Sequence, residues 1–192
     1  MSPNLTKETY DSLGRLANVL ANGAQAAAYG FDTVGNLEYL RYGDGVTNLY
    51  QYDARNRLTN LVWNLNGTRL AGFAYQLDAV GARVGLSENV SGVSRGYAWT
   101  YDGLRRLTAE QISGGAASSF GYGYDPAGNR TNRSSTVSAL PSGASVFDRD
   151  DRLAGDSYDA NGNTTLSASG VACQYDAENR LTNYNGGAVV LR

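Results

Sequence analysis

Apolar and polar positions alternate along much of the chain. Tyr50-Gln51-Tyr52, Trp99-Thr100-Tyr101 and Tyr122-Gly123-Tyr124 each place two aromatic residues two positions apart, and Tyr29 and Phe31 form another such pair. Residues two apart share one face of an extended strand but not one face of a helix. The alternation therefore predicts strands with one aromatic face. An aspartate follows each pair, then a short polar stretch, then a second apolar segment such as Leu58-Thr59-Asn60-Leu61-Val62-Trp63. Tight-turn signals come next: Asn22-Gly23, Gly43-Asp44-Gly45, Asn66-Gly67 and Gly114-Gly115. Each unit reads as a β-hairpin. Residues 16–28 are Ala-rich, yet Gly14, Gly23 and the continuing frame argue against a helix there.

The unit recurs nine times in one frame, starting at residues 10, 31, 52, 77, 101, 124, 147, 158 and 175. Its second position is always aspartate: Asp11, Asp32, Asp53, Asp78, Asp102, Asp125, Asp148, Asp159 and Asp176. The first position is aromatic except at Leu77. Early copies start 21 to 25 residues apart, which suits two strands and two turns, and the last intervals shrink to 11 and 17. Aspartate suits the first position of a type I turn, where its carboxylate accepts from N–H groups just ahead. Glycine suits the fourth, where a positive φ is needed, and it stands there as Gly14, Gly35, Gly81, Gly128 and Gly162. Asn56, Asp151 and Asn179 are the next most tolerant types, and Arg105 is the exception. The prediction is an all-β chain: tandem hairpins over residues 1–192 as a single array, extending one curved antiparallel sheet of about sixteen short strands. Residues 134–146, Ser-rich with Pro141, read as a surface excursion between the sixth and seventh copies.

Tyr10-Asp11-Ser12-Leu13-Gly14-Arg15-Leu16, Phe31-Asp32-Thr33-Val34-Gly35-Asn36-Leu37, Tyr158-Asp159-Ala160-Asn161-Gly162-Asn163 and Tyr175-Asp176-Ala177-Glu178-Asn179-Arg180-Leu181 resemble the YD-repeat, or RHS-repeat, family, over residues 8 to 184. The resemblance implies a β-sheet that spirals into a hollow shell or barrel. In bacterial RHS and insecticidal toxin-complex proteins such a shell encloses a C-terminal toxin domain, and in teneurins a similar shell belongs to an adhesion receptor. The implied role is a structural segment of that shell, a scaffold or container in a secreted or surface protein. The implied partners are the remaining repeats of a parent shell, with an encapsulated toxin domain or surface glycans. The alternative is a carbohydrate- or receptor-binding adhesion module on the same scaffold. Two departures stand out. Asp125-Pro126-Ala127-Gly128 matches the family's self-cleavage motif, but here it lies in register with the repeat in mid-chain and reads as a turn. The repeats run to an apolar end, Ala188-Val189-Val190-Leu191-Arg192, with no toxin or effector domain after them. The expectation is a piece of a larger shell or a truncated reading frame.

Composition removes several chemistries. With no His and with Cys173 as the one cysteine, there is no Ser-His-Asp triad, no imidazole metal site and no Cys-cluster zinc site. The net charge is −2, and 15 scattered Arg with a single Lys7 make no phosphate-binding surface, so no nucleic acid is expected. No apolar run approaches the ~20 residues of a spanning helix, and the N-terminus has no signal-peptide pattern. Membrane insertion is not expected. The extracellular or cell-surface location rests on the resemblance alone. No cofactor or metal is expected, since the repeat aspartates read as turn caps rather than calcium ligands. The glutamates Glu8, Glu38, Glu88, Glu110 and Glu178 are isolated from one another, so no catalytic carboxylate pair, and no enzyme, is expected.

Most repeat aromatics are expected to pack the inner face of the sheet. Trp63 and Trp99 are the candidates for partial exposure and for carbohydrate contact. The post-turn arginines Arg15, Arg57, Arg106, Arg152 and Arg180 are expected to meet carboxylates of neighbouring turns. Cys173 occupies an aromatic slot and reads as a small buried hydrophobe. Six Asn-x-Ser/Thr triplets, at Asn4, Asn66, Asn89, Asn129, Asn132 and Asn163, match the glycosylation acceptor pattern, as an Asn/Thr-rich composition makes expected.

Overall fold

The structure, a computed structural model, describes residues 6–188. Residues 189–192, the apolar end of the chain, lie outside that range, as do Asn4 and Leu5 of the first acceptor triplet. Every regular element among the described residues is a β-strand. The chain divides into two compact units, with the boundary between Ser119 and Phe120.

The first unit holds β1 (Thr6–Tyr10), β2 (Leu16–Ala21), β3 (Ala24–Phe31), β4 (Leu37–Tyr42), β5 (Val46–Tyr52), β6 (Leu58–Leu65), β7 (Thr68–Leu77), β8 (Arg83–Val90), β9 (Val93–Tyr101) and β10 (Leu107–Ser113). They are hydrogen-bonded in chain order, each antiparallel to the last. Register explains the alternation. Tyr50, Leu61, Phe73, Glu88 and Arg95 face one another in a row across β5–β9. One position along, Gln51, Asn60, Ala74, Ser87 and Gly96 form the matching row on the other face. One side is thus large and mostly apolar, the other small and polar.

Within the first unit no second layer of described residues covers the apolar side. Among the described residues only Ala27, Ala71, Gly72 and Gly85 are buried, all of them small, and no large side chain is fully covered. Seven of the eight aromatic first positions are half-buried, and Tyr10, on the edge strand β1, is 57% exposed. The strands hold each other mainly through their backbone ladders and through contacts between neighbouring side chains on a face.

In the second unit, β11 (Ser118–Tyr124), which starts just before the boundary, pairs with β12 (Arg130–Ser135), and β12 with the short β13 (Gly143–Ala144). The Ser-rich excursion lies between β12 and β13, where the Pro141 carbonyl accepts bonds of 3.1 and 2.8 Å from Nε and Nη2 of Arg133. The last repeats contract. β14 (Ser157–Tyr158) and β15 (Thr164–Leu166) form a sheet of their own, and so do β16 (Cys173–Tyr175), β17 (Leu181–Tyr184) and β18 (Gly187–Ala188). Copies only 11 and 17 residues apart leave no chain for longer strands. The described strands number 18 rather than sixteen because these remnants count separately. Cys173 is half-buried, less covered than a core position would be.

Candidate functional site

The repeated chemistry sits in the nine aspartate turns. In each, the N–H of the fourth residue donates to the aspartate carbonyl, from 2.9 Å at Asn56 to 3.2 Å at Gly35 and Asp151. The aspartate N–H in turn donates to the carbonyl of the fifth residue. The fourth residue has positive φ in all nine: 75° at Gly14, 97° at Gly35, 95° at Gly81, 102° at Gly128 and 85° at Gly162, and 59–60° at Asn56, Asp151 and Asn179. Arg105 adopts 66° as well, despite its Cβ. A type I turn followed by one left-handed residue adds a bulge. The ladder accordingly shifts register at the first position, for example between Gln51 and Tyr52.

Each carboxylate is divided between two tasks. In eight turns Oδ1 accepts from the backbone N–H groups two and four residues on, at 2.8–3.1 Å. Asp125 Oδ1 accepts from the N–H groups of Gly128 and Asn129, both at 2.8 Å. This carboxylate before Pro126 thus plays the same part as its counterparts. Oδ2 accepts the side chain four residues on: Arg15, Arg57, Arg106, Arg152 and Arg180 through Nε, and Asn36, Asn129 and Asn163 through Nδ2. The arginines therefore bond the carboxylate of their own turn, not of a neighbouring one. The reason is reach: at the fifth turn position the guanidinium already lies beside the carboxylate that orders the turn.

Neighbouring turns are joined by other bonds. Within the first unit, the Arg15 guanidinium lies over the Phe31 ring at 4.5 Å, and Asn36 Nδ2 donates to Asn56 Oδ1 at 3.0 Å. Arg57 Nη1 donates to the Asp78 carbonyl at 2.9 Å, and Arg105 Nη1 to Asp78 Oδ2 at 2.8 Å. Within the second unit, Asn129 donates to Asp151 Oδ1 at 2.8 Å, Arg152 lies over Tyr158 at 5.1 Å, and Asn163 donates to Asn179 at 2.9 Å. Each unit thus carries a seam of linked turns along one edge of its hairpins.

These donors hold the repeat carboxyls ionised. All nine aspartates have pKa values below the ordinary one. At Asp53 the Arg57 side chain, then its backbone N–H, bring the value down to about 2. At Asp78 desolvation pushes upward, but the bonds from Ala82 N–H and Arg105 outweigh it. Such carboxylates suit turn ordering and are poorly suited to proton transfer near neutral pH. Among the described residues no group of three or more Cys, Asp or Glu could hold a metal ion.

The second feature is the aromatic face of the first unit. Trp63 on β6 is 44% exposed and meets Phe73 edge-on, centroids 6.1 Å apart. Trp99 on β9 is half-buried, stacks on Tyr97 at 5.8 Å and donates through Nε1 to Glu110 at 3.0 Å. With β7 and β8 between their strands, the two tryptophans do not share a platform. A groove of about 490 Å³ beside Phe73 is lined by Glu88, Val90, Val93 and Arg95. Glu88 accepts the Tyr97 hydroxyl at 2.9 Å and faces Arg95 at 3.7 Å. A second groove, of about 530 Å³, runs between the Asp32 and Asp53 turns, past Tyr50 and Tyr52. Sequence reasoning missed Glu88 and Glu110 as anchors for ring tips, and Asn36, Asn129 and Asn163 as turn donors. The signal for the asparagines was there: the fifth turn position is Arg or Asn in every copy but the fourth, where Ala82 stands.

No protein-family model matches the sequence, and no curated protein matches it. Solved structures do. Crystal structures of TcdB2-TccC3-Cdc42 and of TcdB2-TccC3 each match with TM-score 0.68 at 18% identity, and TcdB2-TccC3-TEV matches with TM-score 0.69 at 16% identity. Each covers 94% of this chain but only 11% of the other. At such identity the likeness is one of fold. It agrees with the resemblance to RHS/YD-repeat shells carried by the nine aspartate turns.

Proposed function

We propose that this chain is a wall segment of a larger β-shell of the RHS/YD type, with a scaffolding role in an extracellular or surface protein. The observation that carries this reading is a sheet in the first unit with one apolar face and no layer of that unit's described residues over it, in a chain similar in fold to a small part of much longer chains. Its partners are further repeats of the parent shell, and the content of such a shell is a toxin domain, as the resemblance implies. The role is passive: ladders make the wall, turn seams set its edge, and no bond is made or broken. The test is native mass measurement of the protein in the cells that produce it. Recovery within an assembly many times its own mass supports the reading, and a stable monomer with its aromatic face open overturns it.

The exposure of Trp63 beside Phe73 favours one further reading, an adhesion module that binds carbohydrate or a receptor. Glycan-array binding abolished by Trp63→Ala would support it. Binding unchanged by that substitution, or absent, would remove it.

A further inference from the structure

The two irregular turns of the array form one compensated pair. The fourth turn lacks the side-chain donor found in every other, because Ala82 stands where Arg or Asn is placed elsewhere. The fifth turn alone puts a long side chain, Arg105, at the positive-φ position, where the others use Gly, Asn or Asp. These two departures meet in space: Arg105 Nη1 donates to the Oδ2 of Asp78 that Ala82 leaves without its usual partner, at 2.8 Å across 27 residues. From the other side, Arg57 Nη1 donates to the Asp78 carbonyl at 2.9 Å, and Arg55 to the Ala79 carbonyl. The fourth turn is held by its neighbours where the others hold themselves.

We propose that Arg105 is a register lock, a residue that specifies which hairpin lies beside which and in what alignment. Repeated hairpins need such a device. Alternation of faces rejects a slip of one residue, because it would turn every apolar side chain over. A slip of two residues keeps the faces and is not rejected by them. It would move the fifth turn by about 6.6 Å along the strands, out of hydrogen-bond reach of Asp78. The connection between β8 and β9 gives the lock its place. There the two-residue turn is Ser91-Gly92, with Ser91 at φ 50°, whereas the corresponding turns at Asn22, Asn66 and Asn185 use asparagine, which tolerates that conformation better.

The test is a double-mutant cycle in the full chain with Arg105→Gly, Ala82→Arg and both together. Arg105→Gly relaxes the backbone but removes the donor, whereas Ala82→Arg supplies the usual one. Hydrogen exchange of the Val80 and Ala82 amides, which donate to Asp78 Oδ1, reads the turn directly, even if global stability hardly moves. The lock predicts about tenfold faster exchange at both turn amides and along the β8–β9 ladder in Arg105→Gly, with the turn amides alone, not the ladder, returning to the parent rate in the double variant. Equal effects of Arg105→Gly on the turn amides with and without Ala82→Arg, no effect in either background, or a ladder that is unmoved or recovers in the double variant, would overturn it.

Discussion

The repeats around β6–β9 and those at the end of the described chain share one turn and differ in almost everything else. The Asp53 and Asp78 turns join strands of 7 to 10 residues in a continuous ladder. The Asp159 and Asp176 turns keep the same pattern of bonds, yet the strands beside them have only 2 to 4 residues. In every copy but the Asp78 turn the unit is therefore autonomous: its carboxylate, its backbone donors and its side-chain donor lie within five residues, whereas Asp78 takes its side-chain donor, Arg105, from the next turn. Strand length is set by how much chain separates one turn from the next. A motif can persist where the sheet around it has thinned, so repeat count alone does not measure how much wall a sequence builds.

Substitutions can sharpen that contrast. The largest effect is expected at the tight edge of the long repeats. Gly114 has φ 81°, and a Cβ there would collide with the Ser94 carbonyl. Gly114→Ala should lower stability by about 2–5 kcal/mol in urea melts, through strain and overpacking together. Gly162 has φ 85° but open space around it, so Gly162→Ala should lower it by about 1–2 kcal/mol. Equal losses would break the comparison.

Acid should act on all nine turns. Each carboxyl is lowered in the folded chain, so its contribution is complete above the unfolded value and is lost as pH falls through the folded one, about 2 at Asp53. Urea midpoints should hold down to about pH 5 and fall steadily between about pH 4 and pH 2. A midpoint that rises over that interval would contradict the assignment of the carboxylates.

Arginine replacements should be graded by what each guanidinium touches. Arg57 bonds its own aspartate and the next turn's backbone, so Arg57→Ala should cost about 1 kcal/mol. Arg180 bonds only acidic side chains near the surface among the described residues, so Arg180→Ala should stay within about 0.5 kcal/mol. The smallest effect is expected at Trp63. Acrylamide should quench it readily, and Trp63→Phe should move stability by no more than about 0.5 kcal/mol.

Much of this was legible in the residues, for a physical reason. Aspartate followed three positions later by Gly or Asn is a local code, and local bonds need no knowledge of the rest of the fold. The aromatic-x-aromatic pattern similarly exposes strand faces. What the sequence could not disclose is non-local. Arg105 and Asp78 are far apart in the chain, and nothing near either names the other. The sequence pattern predicts that the post-turn arginines meet carboxylates of neighbouring turns. Yet the shorter four-residue reach to the carboxylate within the turn wins, and the links between turns are made by Asn36, Asn129 and Asn163, by Arg57 and Arg105 to the Asp78 turn, and by Arg15 and Arg152 over rings of the next repeat. Coverage of the aromatic face depends on what lies above it, which no alternation pattern records.

The most direct measurement is amide hydrogen exchange resolved along the whole chain. If ladder length rather than the turn motif carries the wall, protection should be greatest in β6–β9 and fall to near that of exposed loops in β14–β18, although both regions keep their aspartate turns. Uniform protection through the last repeats would contradict it.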